Sequence, residues 1–341
     1  MPASSSSRAF SEILAMAEPG SLATGAIFVG RLASGAAVEI PYVIAKGAKP
    51  GKCLWLNGQV HGDEINGIVA ALDFARELDL SELSGSVVVS STANPLAFDG
   101  RRKKAPQDDI DLDQSFPGSA GGLSSERMAK IFFEACACAD VVVNLHTMGT
   151  TFDADPYAVY KVHPNGRVSE ETLLHLVAPF APAVACRMNV AGGTGELPGN
   201  LAGALDFQCL DRGQIAFMVE LGGGGRLVAE HVAQGITGFE GLARRLGLLP
   251  GAAVAPAELR QVTKRRHVTC AEGGIFRVLA RPATVIPAGQ PLGEVMDLHG
   301  VVHEQITLPF DALVIGIRRD PVVHFGDRVA FVAEHWSNVP A

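Results

Sequence analysis

The chain has 341 residues and a formal net charge of −8 at pH 7, from 28 Lys and Arg against 36 Asp and Glu. Since the sequence contains no basic stripe, this charge disfavours nucleic acids and anionic membranes as partners. Hydrophobic residues make up 48% of the chain and charged residues 19%, a composition that excludes a disordered regulator and predicts a globular protein of about two domains.

The N-terminal unit, residues 1–50, is predicted to form strands that pack on the domain that follows it. Two short alternating runs, AIFVG (26–30) and VEIPYVI (38–44), are typical of edge or hairpin strands. The Ser-rich tail before them lacks the charged and apolar segments of a secretion signal, and no apolar run is long enough to span a membrane. We therefore expect a cytoplasmic protein.

Residues 51–255 are predicted to form an α/β domain in which strands alternate with helices. Four apolar runs are too continuous for strands with a solvated face and are predicted to lie inside a sheet: 53–60, 86–92, 140–145 and 214–219. Helical spacing of apolar residues predicts three helices, 63–78, 124–139 and 237–249, with Ser124 or Ser125 as N-cap of the second. The expected fold is a mixed, mostly parallel sheet with helices on both faces.

A Pro- and Ala-rich passage, PGAAVAPAEL (250–259), is typical of a linker at the end of this domain. Beyond it, short apolar runs are separated by turn sequences such as PAG, DLHG and FGD, at the spacing of a small all-β unit. We expect residues 256–341 to form this second, smaller domain.

The six cysteines lie mostly inside apolar runs and include no C-x-x-C pair. We interpret them as reduced thiols of the core rather than as a disulfide framework. This interpretation agrees with the expected cytoplasmic location.

The clearest candidates for chemistry stand at the ends of three predicted strands. His61 and Glu64 follow the first with an H-x-x-E spacing, His146 directly follows another, and Glu220 follows a third. Since an open α/β sheet binds ligands at the carboxyl ends of its strands, these side chains are expected to meet. Two His and one Glu are typical of a catalytic zinc site with a position left for water, and the other Glu then serves as general base.

Each of these residues also has an ordinary structural interpretation. A single His at a strand end is more often a hydrogen-bonded polar residue than a metal ligand, and Glu220 alone is compatible with a buried ion pair. The repeated placement at three strand ends favours the metal site. The remaining histidines are scattered along the chain, and we assign none of them to the metal.

Four motifs together resemble the succinylglutamate desuccinylase and aspartoacylase family, which is related to the zinc carboxypeptidases. They are GQVHGDE (58–64), NPLAFDGRRKKAPQDDIDLDQSFPG (94–118), NLHT (144–147) and ELGGGG (220–225). The resemblance covers roughly residues 35–335. It implies a zinc carboxypeptidase-like sheet and a zinc amidohydrolase that cleaves N-acyl amino acids or similar small amides, as the N-acetyl-diaminobutyrate deacetylases do.

The same resemblance implies that the C-terminal domain is a β module of the lipoyl-like barrel-sandwich type. Residues 273–332 contain no lysine. A lipoyl or biotinyl carrier role is therefore not expected, and the module is interpreted as a structural or oligomer-forming unit near the mouth of the active site. A homo-oligomer is the expected assembly.

The resemblance also implies roles for individual residues. His61, Glu64 and His146 match the ligands of one Zn²⁺ per chain. Glu220 matches the base that takes a proton from the attacking water and returns it to the leaving amine. These assignments make residues 51–255 the zinc-dependent catalytic domain.

Further residues are expected to contact the substrate. Arg102, with its neighbour Arg101 as a close alternative, is expected to stabilise the oxyanion that forms as the amide carbonyl becomes tetrahedral. A solvated loop is the ordinary interpretation of this basic run. The substrate-binding residues are expected to include Arg101, Asn94, Asp113, Gln114 and Gly222.

One motif departs from the family pattern. Where relatives carry Asp-Leu-Asn-Arg, this chain has DLDQ (111–114), so that Asp113 replaces an Asn and Gln114 an Arg. The lost arginine would have held a substrate carboxylate bidentately. We expect either that another arginine, such as Arg167 or Arg187, replaces it, or that the substrate carries an amine or amide there, with Asp113 favouring a cationic group.

The resulting hypothesis is a zinc-dependent deacylase that acts on a small N-acyl amino acid or related amide. A zinc carboxypeptidase acting on peptides is a second hypothesis, against which the altered pair Asp113 and Gln114 counts. A non-catalytic metal-binding relative is a third, against which the intact set of two His and two Glu argues.

Overall fold

The computed structural model describes residues 9–190 and 200–341, so the predicted Ser-rich tail at residues 1–8 lies outside the described residues. The helices are α1 (Phe10–Met16), α2 (Asn66–Glu77), α3 (Pro95–Gly100), α4 (Ser124–Ala135), α5 (Glu170–Val177), α6 (Leu205–Asp211) and α7 (Ala229–Arg245). None of the described helices is long and apolar enough to cross a membrane.

Seventeen strands are described. The first nine are β1 (Ser21–Arg31), β2 (Ala37–Lys46), β3 (Lys49–Asn57), β4 (Ser84–Ser90), β5 (Val141–His146), β6 (Phe152–Ala154), β7 (Tyr157–Val162), β8 (Ala185–Asn189) and β9 (Ile215–Glu220). The others are β10 (Glu258–Thr269), β11 (Gly274–Val278), β12 (Val285–Ile286), β13 (Pro291–Met296), β14 (Val302–Thr307), β15 (Ala312–Arg318), β16 (Val322–Val323) and β17 (Arg328–Pro340).

The sheet of the α/β domain is mixed, with parallel strands at its centre. β3 pairs in parallel with β4 and β5, and β5 pairs in parallel with β9. The hairpin of β1 and β2 continues the sheet beyond β4 in antiparallel register, while β7 runs antiparallel to β9 and parallel to β8. The predicted mixed, mostly parallel sheet is confirmed.

Helices cover both faces of this sheet, as predicted. Alternate residues of a strand point to opposite faces, and β3 shows the division clearly. Leu54 and Leu56 pack in the core formed with α2, α5 and α7, whereas Cys53 and Trp55 pack in the core formed with α1, α4 and α6. Since β3 is apolar on both sides, it lies in the middle of the sheet. Its carboxyl end lies at the edge that is formed by the ends of the parallel strands.

The C-terminal strands form a smaller β domain, also as predicted. β11, β13, β14 and β16 make a separate four-stranded sheet. β10 pairs antiparallel with β17, which pairs with β15, and these strands enclose their own apolar core. β10 also pairs in parallel with β8 through Gln261 and Val262, so the second domain is hydrogen-bonded to the edge of the first.

Local differences from the predictions have local causes. The N-cap of α4 is Leu123 rather than a serine, because the Glu126 carboxylate accepts the Leu123 amide and Asp108 accepts the Ser125 amide. The helix ends at Ala135 and continues as one 3₁₀ turn. All six cysteines are free thiols.

Candidate active site

Three strand ends of the catalytic sheet meet at one edge. His146 is the last residue of β5 and Glu220 the last of β9, and the two are paired neighbours in the parallel register. His61 and Glu64 lie in the turn that joins β3 to α2, next to the end of β5. The convergence expected from the sequence is therefore produced by the parallel pairing of β3, β5 and β9.

The Glu64 carboxylate lies between the two histidines. Its Oε1 is 2.9 Å from Nδ1 of His61, and its Oε2 is 3.1 Å from Nδ1 of His146. One ligand atom from each of the three residues lies within 4.8 Å of the others. All three side chains are buried. Imidazole nitrogens and a carboxylate oxygen are the donor types that Zn²⁺ takes in proteins, so this set fits the ion.

The electrostatics of the cluster favour positive charge. Burial opposes protonation of His61, but the charge of Glu64 and the hydrogen bonds to Asp111 and Glu64 raise the pKa of the imidazole to about 10. Burial likewise opposes ionisation of Glu64, yet the two histidines lower the pKa of that carboxyl to about 2. The buried cluster thus keeps Glu64 ionised and favours a proton on His61, and such surroundings are suited to a cation.

Asp111 supports the cluster through the nitrogen of His61 that faces away from Glu64, a role that the sequence did not reveal. Its Oδ1 accepts a hydrogen bond from Nε2 of His61 at 3.0 Å, and its Oδ2 lies 3.0 Å from Nζ of Lys103. A carboxylate on the far nitrogen fixes the tautomer and orientation of a ligating histidine. The sequence signal for this role is the DLDQ motif, of which Asp111 is the first residue.

The carboxylate of Glu220 is placed to exchange a proton at this site. Its Oε2 is buried and has no hydrogen-bond partner within the described residues, and the Tyr157 hydroxyl interacts with the same carboxylate. Burial, helped by the charge of Glu64, raises the pKa of Glu220 to about 7 against the opposing charge of His146. A carboxylate with such a pKa exchanges a proton readily near neutral pH.

A cavity of about 230 Å³ opens at this edge of the sheet. His61, His146 and Glu220 line one side of it, and residues of β10 and β17 line the other. The candidate site therefore lies between the catalytic sheet and the C-terminal domain.

The basic run at the end of α3, residues 101–104, presents a different side chain to the cavity from the one predicted. Arg101 caps α3 with a left-handed backbone, φ 51°, and Arg102 pairs with Asp109 at 2.9 Å on the exposed surface. Neither arginine lines the cavity, whereas Lys103 does. The structure thus places Lys103 at the cavity, and not the predicted Arg102 or Arg101.

The remaining predicted substrate contacts divide into two groups. Asp113 and Gln114 line the cavity, and their contact with a substrate stays a prediction. Asn94 does not; it is the N-cap of α3, accepting the Ala97 amide, and it donates to the Val60 carbonyl. Gly222 also lies outside the lining and forms a turn with φ +84°, where a Cβ would overlap Nδ1 of His231.

The two arginines proposed to replace the missing carboxylate-binding residue lie elsewhere. Arg167 donates to the carbonyl of Asp211, and Arg187 pairs with Glu170 at 2.9 Å. Neither lines the cavity. The structure therefore does not bring either arginine to the cavity, because their guanidinium groups are held by Asp211 at the end of α6 and by Glu170 at the start of α5.

Comparisons with known proteins agree with this architecture. Residues 50–246 match the model of the succinylglutamate desuccinylase/aspartoacylase catalytic domain. The chain is similar to the N-alpha-acetyl-L-2,4-diaminobutyric acid deacetylase of Halomonas elongata, with 27% identity over 306 residues, which is 87% of this chain and 86% of the relative.

Solved structures share the fold over nearly the whole chain. A succinylglutamate desuccinylase/aspartoacylase from Rhodobacter sphaeroides has a TM-score of 0.79 at 23% identity, covering 94% of this chain and 96% of its own. An ectoine utilization protein from Ruegeria pomeroyi has a TM-score of 0.80 at 22% identity, covering 94% and 97%. Because the family model of the catalytic domain matches residues 50–246, more than half of the chain, the chain belongs to the succinylglutamate desuccinylase/aspartoacylase family of deacylases.

Proposed function

We propose that this protein is a zinc-dependent deacylase that hydrolyses the amide bond of small N-acyl amino acids. The observation that carries the proposal is the meeting of His61, Glu64 and His146 with Glu220 at one cavity. The buried Oε2 of Glu220 has no hydrogen-bond partner in the described part of the chain. The two histidines and Glu64 would hold the metal. When bound, Zn²⁺ supplies Lewis-acid chemistry, which polarises a carbonyl and lowers the pKa of a water.

Residues of the chain would transfer the proton, stabilise the charge on the carbonyl oxygen and position the reacting groups. Glu220 accepts a proton from the water that attacks the amide carbon and delivers it to the amine nitrogen, so that the C–N bond breaks to give a carboxylate and an amine. Lys103 places its ammonium group at the cavity, where it stabilises negative charge on the carbonyl oxygen. Asp111 holds both Lys103 and His61 in position.

A small substrate is supported by the size of the cavity. At about 230 Å³ it is smaller than the usual range for drug-sized ligands, and residues of the C-terminal domain line one side of it. The relative from Halomonas elongata is named for an N-acetylated diamino acid. Both observations favour an N-acyl amino acid over a peptide, so the carboxypeptidase hypothesis ranks second.

The test is a hydrolysis assay of the zinc-loaded protein on N-acetyl-L-2,4-diaminobutyrate, N-succinylglutamate, other N-acyl amino acids and short peptides. We expect turnover of at least one N-acyl amino acid and little of the peptides. Glu220→Gln is expected to keep its zinc and lose about 10²–10⁴-fold in kcat, while Glu77→Gln, an exposed control at the end of α2, keeps full activity. Full activity of Glu220→Gln, or preference for peptides, would contradict the proposal.

We also propose that the protein acts in the cytoplasm as a homo-oligomer. The six free thiols suit a reducing compartment. Exposed apolar side chains of the C-terminal domain, such as Leu298 and Phe325, support a contact between copies. Light scattering of the purified protein tests the assembly, and a monomer at micromolar concentration would contradict it.

A further inference from the structure

We propose that Cys53 and Cys138 form a reversible redox pair, in which a hydroperoxide oxidises the thiol of Cys138 and Cys53 then closes a disulfide with it. Cys138 lies three residues before β5, and Leu54, which follows Cys53, pairs with the first residue of β5. The pair therefore lies at the opposite end of this strand from His146. The inference is independent of the proposed function, because neither thiol takes part in the deacylation.

The backbone holds the two cysteines beside each other. The Cys53 amide donates to Oδ2 of Asp140 at 2.7 Å, and the Asp140 amide donates to the Cys53 carbonyl at 2.9 Å. Cys138, two residues before Asp140, is the last residue of the 3₁₀ turn after α4. This arrangement brings the two side chains into contact, and the Cys53 thiol donates a hydrogen bond to the Cys138 sulfur. Thiols in hydrogen-bond contact are near enough for a disulfide to form with small side-chain movements.

The two thiols differ in their access to solvent. Cys53 is buried, with 6% of its surface exposed. Cys138 is half-buried and lines a second cavity of about 800 Å³, which lies between α1, β1 and the end of α4. A small oxidant in this second cavity reaches Cys138 first. Cys138 is thus the thiol that is oxidised, and Cys53 is the thiol that resolves it.

The surroundings of Cys138 favour its thiolate, which is the reactive form. The hydrogen bond from Cys53 is the largest influence and lowers the pKa of the Cys138 thiol, with a smaller contribution from the charge of Arg212. Burial and the charge of Asp140 oppose this shift. The Arg212 guanidinium lies 3.9 Å from the centroid of the Phe133 ring and donates to the Phe133 carbonyl at 2.8 Å, which fixes its position. The hydrogen bond between the two thiols raises the pKa of Cys53, so the proton stays with the buried thiol.

Another pair of thiols provides an internal comparison. Cys136 and Cys209 are also in contact, and Nη2 of Arg212 lies 3.3 Å from the Cys136 sulfur and 3.6 Å from the Cys209 sulfur. Both side chains are completely buried, and neither lines the second cavity. This pair has the same kind of contact and the same cation, but it lacks the exposed surface of Cys138. We therefore expect oxidation to select Cys53 and Cys138.

The reaction with a hydroperoxide takes two steps. The Cys138 thiolate attacks the terminal oxygen of the hydroperoxide, the O–O bond breaks, and the leaving alkoxide or hydroxide takes a proton from solvent to give an alcohol or water. Cys138 is thereby oxidised by two electrons to a sulfenic acid. The Cys53 sulfur then attacks the Cys138 sulfur, the S–O bond breaks, and hydroxide leaves as water with the proton of Cys53. A dithiol reductant returns the pair to two thiols, since disulfides in reducing compartments are usually transient.

The test exposes the zinc-loaded wild-type protein to hydrogen peroxide, followed by denaturation, alkylation of the remaining thiols and mapping of the non-reduced peptides by mass spectrometry. Before oxidation all six cysteines should be alkylated. After mild oxidation we expect the loss of two alkylated thiols, with Cys53 and Cys138 joined in one cross-linked peptide. Cys136 and Cys209 should stay alkylated, and treatment with dithiothreitol should restore both lost thiols.

Variants identify the thiol that reacts first. In Cys53→Ser, dimedone, which traps sulfenic acids, should label Cys138. In Cys138→Ser, both the disulfide and any label at Cys53 should be absent. Cys270→Ser removes a buried thiol of the C-terminal domain that donates to the His324 carbonyl; this control should form the disulfide as the wild type does.

The map of the wild type decides the question whether or not every variant folds. If the wild type forms no link between Cys53 and Cys138, or if Cys136 and Cys209 are oxidised in their place, the inference is overturned. Dimedone labelling of Cys53 in Cys138→Ser would overturn the order of the two steps and with it the inference. None of these results affects the proposed function, which the hydrolysis assay tests separately.

Discussion

Replacing Asp111 by Asn isolates the support that a single carboxylate gives to the metal ligands. The Asn keeps nearly the same shape and an acceptor oxygen, but it removes the charge that lies 3.0 Å from Nε2 of His61 and 3.0 Å from Nζ of Lys103. Loss of such an outer carboxylate typically weakens metal binding 10–100-fold. We therefore expect the free energy of zinc binding to become less favourable by about 1.4–2.7 kcal/mol.

The assay is competition for Zn²⁺ with a chelator of known affinity, read by absorbance at fixed pH. Asp109→Asn is the matched control, because Asp109 also pairs with a basic residue of this loop but lies on the exposed surface. Its zinc affinity should equal that of the wild type. If Asp111→Asn binds zinc as tightly as Asp109→Asn does, the carboxylate does not support the ligand and the reasoning fails.

Three further predictions concern the proposed base Glu220, the cavity residue Lys103 and the turn at Gly222. Because Glu220 acts deprotonated and its pKa is raised to about 7, kcat/KM should fall as the pH is lowered below about 7; a flat profile from pH 5 to 8 would contradict its role. Lys103→Met should lower kcat about 10²–10³-fold with little effect on zinc content, measured by steady-state kinetics and elemental analysis; unchanged kcat would exclude Lys103 as the oxyanion contact. Gly222→Ala should reduce the free energy of unfolding by about 1–3 kcal/mol in urea, since φ is +84° and the new Cβ meets His231; wild-type stability would refute this.

The sequence was sufficient to predict the centre of the fold and the meeting of His61, Glu64 and His146. The four continuous apolar runs became β3, β4, β5 and β9, because strands buried on both faces need no solvated side. Parallel pairing of such strands places their carboxyl ends together, so His61, His146 and Glu220 meet without any further information.

Other elements escaped prediction because distant residues determine them. β7 carries Lys161 in the middle of YAVYKV, and only the buried pairing with Asp206, 45 residues later, makes that lysine compatible with an inner strand. The choice among Arg101, Arg102 and Lys103 depended on one left-handed residue that gives no sequence signal, since arginine seldom adopts it. The side of the cavity that β10 and β17 line depends on the pairing of these two strands and on the contact of β10 with β8.

The central claim is that His61, Glu64 and His146 hold one zinc ion. Elemental analysis of the purified wild type beside His61→Ala, both prepared without chelator, tests it most directly, with His299→Ala as an exposed histidine control. We predict one zinc per chain in the wild type and in His299→Ala, and a loss of that zinc in His61→Ala. No zinc in the wild type, or an undiminished content in His61→Ala, would contradict the account.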